Sequence, residues 1–394
     1  MILLSSSHQL ILFISAAGVI QAVILAGLLF INAKSDRTVT PFLSGHIITV
    51  SIFMLMPVVQ YFISWQSIIT LIPFQFLIGP FLYLYVCSFK QTITWQKAWP
   101  HFILFVAVAA ADIQFYFSWV KNYSANPEFP DEILLDPRAY VQILLRNLQM
   151  LLYYFMAKKV LAGYQKSIHQ LYSETSRINL NWVKWLLNGF LLLIITVLIL
   201  AILVFKYPEE FRLFILINTA IITPYIYFIA LKGIGQPALW QVMRDKSKEE
   251  VVKEINEAEI IETLKIPDEQ PSLKTQPAAD PKATETANKI VALLEKEKIY
   301  QEPELTIKNM ADKIEIPYYQ VSQAINDVLN KNFYDLVNGY RVEEAKRLLL
   351  HPDNRNYTIL SVGFEAGFNS KTTFNTVFKK FTGLTPTEYR NKQK

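Results

Sequence analysis

The chain of 394 residues contains one cysteine, Cys87, and five scattered histidines. A single thiol excludes a disulfide framework and a cysteine-rich zinc site, because both need several cysteines at short spacings. The sequence also lacks a His-Glu-x-x-His zinc motif, a phosphate-binding Gly-rich loop and a Ser/His/Asp arrangement. No cofactor is implied, and nothing in the sequence supports an enzyme active site.

Charged residues are scarce, at 18% against 52% hydrophobic residues, and the mean hydropathy is +0.24. These averages conceal a division, because the chain is apolar and aromatic up to about residue 235 and ordinarily charged beyond it. The formal net charge of +5 is too small to indicate nucleic-acid binding by itself. The pattern predicts three parts: a membrane domain at 1–235, a charged linker at 236–282 and a C-terminal domain at 283–394.

Seven apolar runs in the first part approach or exceed the roughly 20 residues that cross a bilayer as a helix. They predict an all-α fold that begins with a seven-helix transmembrane bundle. The runs lie at about 9–31, 43–64, 68–88, 98–119, 139–161, 182–205 and 211–233.

The basic residues in the connections between the runs set the expected orientation. The connections after the odd-numbered runs, together with the run ends next to them, carry most of the Lys and Arg, including Lys34, Arg37, Lys90, Lys97, Lys158, Lys159, Lys166, Arg177 and Lys184. Basic connections lie in the cytoplasm. We therefore expect a multi-pass protein of the bacterial inner membrane, with its N-terminus outside and its C-terminal domain in the cytoplasm.

Two ionisable residues, Asp112 and Arg146, fall inside the fourth and fifth runs. Each lies roughly 10–12 Å from the outer end of its antiparallel span, so the sequence predicts an ion pair. The polar residues Gln60, Gln75 and Asn218 fall at a similar or shallower depth. The set fits either a structural network that joins the helices or a polar pocket that binds an external signal.

The linker consists of two segments. Residues 245–264 are rich in helix formers with a weak apolar stripe, which fits a solvated helix or a short dimerising one. Residues 265–282 contain four prolines among polar residues and are predicted to be a flexible spacer.

Helical periodicity with short turns continues from about residue 283, which predicts a compact helical domain of about 110 residues. Thr306 and Thr358 stand where helix N-caps are expected, and a long helix is predicted at about 333–350. Thr385-Pro386-Thr387-Glu388 combines an N-cap, a first-turn proline and a capping-box glutamate.

The end of the chain contains the pair Gly367-Phe368, the run Phe374–Lys380 and the ending from Gly383 to Arg390. Together these motifs resemble the second helix-turn-helix of the AraC/XylS family of bacterial transcription regulators, and the resemblance covers about 305–390. It implies two helix-turn-helix units joined by the long helix. Phe368, Phe374, Phe378 and Tyr389 are expected to form the core of the second unit rather than to touch DNA.

The resemblance implies that each unit inserts one reader helix into a separate major groove of double-stranded promoter DNA. The sites carried over are Tyr319, Gln320, Gln323 and Asn326 in the first reader helix, and Lys371, Thr372, Asn375, Thr376 and Lys379 in the second. Gln323 and Thr376 stand where the family often has Arg, and residues 283–394 hold 16 Lys/Arg against 14 Asp/Glu. Weak attraction to phosphate would then be compensated by a homodimer or by clustering in the membrane.

Together these features predict a membrane-anchored, sequence-specific transcription regulator that couples an external or membrane signal to promoter binding. Its expected partners are promoter DNA, the lipid bilayer, a signal ligand or membrane partner and, for an activator, RNA polymerase. A membrane transporter or membrane enzyme that carries a regulatory DNA-binding tail is the alternative. Seven runs without an internal repeat make a transporter less attractive.

Overall fold

The computed structural model describes residues 6–32, 40–62, 71–90, 93–123, 137–176, 178–207, 210–234, 281–354 and 356–392. In these ranges the chain is helical and contains no strand, apart from one isolated antiparallel bridge between Tyr172 and Thr306. It forms two compact units. Within the described ranges, unit 1 comprises residues up to 162 and 180–234, and unit 2 comprises 163–179 and 281–392.

The eight α-helices described in the N-terminal part overlap the seven apolar runs, with two of them, Trp95–Ala98 and Ile103–Tyr123, at the fourth run. They are α1 (Ser6–Asn32), α2 (Thr40–Phe62), α3 (Ile78–Cys87), α4 (Trp95–Ala98), α5 (Ile103–Tyr123), α6 (Pro137–Leu171), α7 (Asn181–Lys206) and α8 (Phe211–Ile234). The third run differs from a continuous span, because a 3-10 segment at Pro73–Leu77 precedes α3. A proline at its start and another at position 80 remove backbone donors from this stretch.

Three of the described helices are long and apolar enough to cross a membrane: Leu12–Ile31 in α1, Pro41–Val59 in α2 and Asn181–Val204 in α7. This supports membrane association, whereas the expected number of seven spans is not confirmed. The ionisable residues at positions 112 and 121 in α5, and at 138, 146, 158 and 159 in α6, lower the apolar character of those helices.

The surface of unit 1 carries large apolar side chains that a water-soluble protein would bury. Phe13, Phe117 and Leu231 are each about two-thirds exposed or more, and other exposed apolar side chains lie on α6 and α7. An apolar exterior of this kind fits contact with lipid chains.

Unit 2 contains the predicted C-terminal helices. They are α9 (Pro281–Lys296), α10 (Ile307–Lys313), α11 (Tyr318–Asp327), α12 (Phe333–Leu350), α13 (Ile359–Glu365), α14 (Lys371–Thr382) and α15 (Pro386–Lys392). Short 3-10 segments lie at Ile299–Gln301 and Pro352–Asn354. The long helix α12 has the predicted bounds and packs against α11, α13, α14 and α15.

The predicted helix starts in unit 2 are confirmed by their capping contacts. Thr306 accepts from Asn309 N (3.2 Å), and Thr358 accepts from Ser361 N (3.0 Å). Thr385 and Glu388 form the predicted capping box, with Thr385 N donating to Glu388 Oε2 (2.7 Å). These side chains satisfy backbone donors that a helix leaves without an internal partner.

Candidate DNA interface and intramembrane polar residues

The first reader helix, α11, buries one face and exposes the face predicted to contact DNA. Its buried residues are Val321, Ser322, Ala324 and Ile325. Of the predicted contact residues, Tyr319, Gln320 and Gln323 are exposed and Asn326 is half-buried. The tyrosine, at 47% exposure, is the largest apolar surface on this face.

The second reader helix, α14, has the same two-faced arrangement. Ser370 caps its N-terminus by accepting from Thr373 N (3.1 Å), and Gly383 ends it with a left-handed φ of +77°. The predicted contact residues follow the outer face: Lys371, Thr372, Thr376 and Lys379 are exposed, and Asn375 is half-buried. The side chains that the sequence assigned to DNA are therefore accessible.

The predicted core of the second unit is confirmed. Phe368, Phe374 and Phe378 are each at most 1% exposed, and Tyr389 packs against them. The ring of Phe378 meets that of Tyr389 edge-on, with centroids 5.4 Å apart. This aromatic cluster fixes α14 against α12, which supplies buried Val342, Ala345, Leu348 and Leu349.

Two charged side chains near the readers are engaged inside the domain. Lys380 forms an ion pair with Asp335 (2.6 Å), so its charge is offset rather than free to attract phosphate. Arg341 in α12 is fully buried and donates to the carbonyl oxygens of Tyr300 (2.7 Å) and Glu302 (2.7 Å). This network was not predicted from the sequence. A lone arginine among the apolar positions of α12 was the available signal.

In unit 1 the predicted ion pair between Asp112 and Arg146 is not formed, although both side chains are buried. Arg146 donates to Gln75, and its guanidinium lies 5.4 Å from the ring centroid of Phe53. Asp112 instead accepts a hydrogen bond from Gln142. The sequence indicates how deep each residue lies along its helix. Which residues meet also depends on the rotation of each helix about its own axis.

The remaining predicted polar residues of unit 1 differ in their positions. Gln75 is buried next to Arg146, and Asn218 in α8 is half-buried. Gln60 lies in α2, but its side chain is outside the described part of the chain. The structure adds a polar contact that the sequence did not indicate, in which buried His46 Nε2 lies 2.9 Å from the Tyr225 hydroxyl.

Residues 310–392 match a family model described as a helix-turn-helix domain, of the AraC type. No curated protein and no solved structure gives a significant match to the chain. The matched range contains both reader helices and the long helix between them. The match supports a DNA-binding transcription regulator with double-stranded DNA as its partner, and it points away from an enzyme.

Proposed function

We propose that the protein is a membrane-anchored, sequence-specific transcription regulator that binds promoter DNA through α11 and α14. The observation that carries the proposal is the pair of exposed reader faces on a shared helical core in residues that match the AraC-type domain. Gln and Asn side chains hydrogen-bond adenine well, and Lys suits guanine or phosphate.

The base-contacting residues in this proposal are those named from the sequence. Gln320, Gln323 and Asn326 would act from α11, with Tyr319 packing beside them. Lys371, Thr372, Asn375, Thr376 and Lys379 would act from α14. Two reader helices of one domain would then occupy major-groove segments about 34 Å apart on one side of the duplex.

Membrane anchoring is supported by the three helices long and apolar enough to cross a bilayer and by the apolar exterior of unit 1. We infer a location in the bacterial inner membrane, with seven spans and a cytoplasmic C-terminus. Signal sensing is assigned to the buried polar groups of unit 1, centred on Arg146 with Gln75 and on Asp112 with Gln142. A homodimer would supply the DNA affinity that a nearly neutral domain lacks.

Selection of DNA from a random pool by the full-length protein in lipid nanodiscs tests the function. The expected result is one enriched site with two conserved segments about one helical turn apart. The double variant Gln323→Ala, Asn375→Ala should lose that preference, whereas Lys289→Ala should keep it. Lys289 is the control because it lies in α9, outside the matched domain, and pairs with Glu285 (2.8 Å). Absence of any enriched sequence would refute the proposal.

A further inference from the structure

Ser173 is fully buried, although it lies in the connection between the fifth and sixth apolar runs. Its hydroxyl donates to the carbonyl oxygen of Leu305 (2.6 Å), 132 residues away along the chain. Its carbonyl oxygen accepts from Asn338 Nδ2 (2.9 Å), and Arg341 Nη2 donates to its hydroxyl (3.2 Å). One small residue of the connection thus contacts both the start of the first helix-turn-helix unit and the long helix α12.

The residues beside Ser173 extend this contact in both directions. Tyr172 forms the isolated antiparallel bridge with Thr306, the N-cap residue of α10. Glu174 Oε1 accepts from the hydroxyl of Thr373 (3.3 Å), which lies on the buried face of the second reader helix α14. The connection therefore contacts the first unit through Thr306 and the second through Thr373.

The end of α6 adds an aromatic contact to the same surface. The imidazole of His169 stacks on the ring of Tyr334 in α12, with centroids 4.6 Å apart and planes within 12°. Stacking of this kind stabilises the contact beyond the effect of burying the two rings. The contacts with the helix-turn-helix domain thus come from His169, Tyr172, Ser173 and Glu174, which lie within six consecutive residues.

The electrostatics of this surface also involve the connection. The guanidinium of Arg341 is buried, and burial lowers its pKa to about 10. The carboxylate of Glu174 acts in the opposite direction and favours the charged guanidinium. A buried cation is costly without a counter-charge, so Glu174 stabilises the α12 surface as well as touching α14.

We propose that residues 169–174 form a clamp that binds in cis to the helix-turn-helix domain and holds its two reader helices in one arrangement. The clamp surface on the domain consists of Leu305, Thr306, Tyr334, Asn338, Arg341 and Thr373. Tyr319, Lys371 and Lys379 stay exposed beside the clamp, whereas Asn326 of the first reader helix is half-buried and lines an open cavity with His169. The clamped arrangement is therefore competent to bind DNA, and release of the clamp lowers DNA affinity. This effect on DNA rests on the proposed function, whereas the cis contact does not.

Disulfide trapping in the full-length protein in membranes tests the contact itself. In a Cys87→Ala parent, Tyr172→Cys and Thr306→Cys place two thiols opposite each other in the antiparallel bridge, within the range that a disulfide spans. After oxidation with copper–phenanthroline, both thiols should resist a maleimide mass tag and the protein should stay monomeric on a non-reducing gel. Ser176→Cys with Thr306→Cys is the control, because Ser176 is exposed and outside the bridge. Full maleimide tagging of the bridge pair, or a dimer band instead of a monomer band, overturns the cis clamp.

A charge-matched pair of variants tests the effect on DNA. Glu174→Gln should weaken binding to the selected site by about tenfold, since it removes the negative charge that offsets the buried Arg341 guanidinium and strengthens the hydrogen bond from Thr373. Glu343→Gln removes the same charge from an exposed position on α12 and should not weaken binding. Loss of an acidic charge by itself strengthens the attraction of the protein to phosphate. Weaker DNA binding by Glu174→Gln would therefore show that Glu174 acts by holding the reader helices in position.

The outcomes separate the two proposals. Equal affinities for Glu174→Gln and Glu343→Gln, with the disulfide formed, would overturn the role of the clamp in DNA binding. Failure of the unsubstituted protein to select any DNA would refute the proposed function and leave the disulfide result to decide the cis contact.

Discussion

Gly367 lies directly against Tyr300: a Cβ added to the glycine would come 2.4 Å from the tyrosine carbonyl oxygen. The same glycine has φ of +97° in the turn between α13 and α14, a backbone conformation that side chains with a Cβ rarely adopt. The turn that aims the second reader helix is therefore held close to the segment before the first helix-turn-helix unit.

Gly367→Ala should lower the local free energy of unfolding around α13 and α14 by about 3 kcal/mol, because it adds both a clash and backbone strain. Hydrogen exchange of the amides in these helices, measured on the full-length protein, gives the value. Gly383→Ala is the matched control, since its φ of +77° is also left-handed but its Cβ would meet open space. That variant should lose only about 1 kcal/mol; equal losses would show that the Tyr300 contact is unimportant.

Asn375→Ala and Lys379→Ala should have different effects on DNA binding. If Asn375 contacts a base, its loss costs about 1–3 kcal/mol at one base pair and relaxes the preference there. If Lys379 contacts phosphate, its loss weakens binding to all DNA sequences alike. It also reduces, by about one, the slope of the logarithm of the binding constant against the logarithm of the salt concentration. Competition binding over a set of single-base variants at several salt concentrations separates these effects. A uniform loss for Asn375→Ala would make it a backbone contact.

The expected membrane orientation, with the C-terminal domain in the cytoplasm, predicts which positions a membrane-impermeant reagent reaches in intact cells. In a Cys87→Ala parent, Ser124→Cys lies in the connection expected outside and should react with a membrane-impermeant maleimide. Lys394→Cys should react only after the cells are opened, because a DNA-binding domain must face the cytoplasm. Labelling of Lys394→Cys in intact cells would reject the predicted topology.

Gln75→Leu should destabilise unit 1 more than an equivalent change at Gln149. Gln75 accepts from the buried Arg146 guanidinium, and loss of a hydrogen bond to a charged group costs about 2 kcal/mol. Gln149 donates to the carbonyl oxygen of Phe76 (3.1 Å), so Gln149→Leu removes a hydrogen bond between neutral groups and should cost about 1 kcal/mol. Thermal unfolding in a single detergent compares the two, and the reverse order would contradict the role given to Arg146.

Glu344 should make the stability of unit 2 depend on pH in the acid range. Hydrogen bonding to Arg347 (2.8 and 2.9 Å) lowers the pKa of the Glu344 carboxyl. A lowered folded-state pKa gives stability that is present above the usual value near 4.5 and is lost as the pH falls through the lower value. Glu344→Gln should therefore cost about 1 kcal/mol at pH 7 and less at pH 3, by denaturant unfolding at each pH.

Much of unit 2 could be predicted from the sequence because its signals are local. Thr306, Thr358 and the Thr385–Glu388 pair cap helices within three residues, so the sequence alone indicated where those helices begin. The apolar spacing of Phe374 and Phe378 likewise identified the buried face of α14, which left the opposite face for DNA.

The sequence was less informative where the partner depends on rotation or on distant chain segments. It matched Asp112 and Arg146 by depth, yet the rotation of α5 and α6 turns them toward Gln142 and Gln75. Residues 236–280 of the linker predicted at 236–282 lie outside the described residues, with its predicted helix and most of its spacer, and helix α9 begins at Pro281.

The sequence by itself indicated an apolar first part and a helical second part, the helix ends of unit 2 and the buried faces of its helices, because hydrophobic period and capping act over a few residues. Only the tertiary structure decided that Ser173 and Glu174 join the helix-turn-helix domain and that Arg341 is buried among carbonyl oxygens. The contacts of Ser173 and Glu174 join segments 165 and 199 residues apart, and the contact of Arg341 with Tyr300 joins residues 41 apart. Their partners are selected by the packing of the whole unit, and no local pattern encodes them.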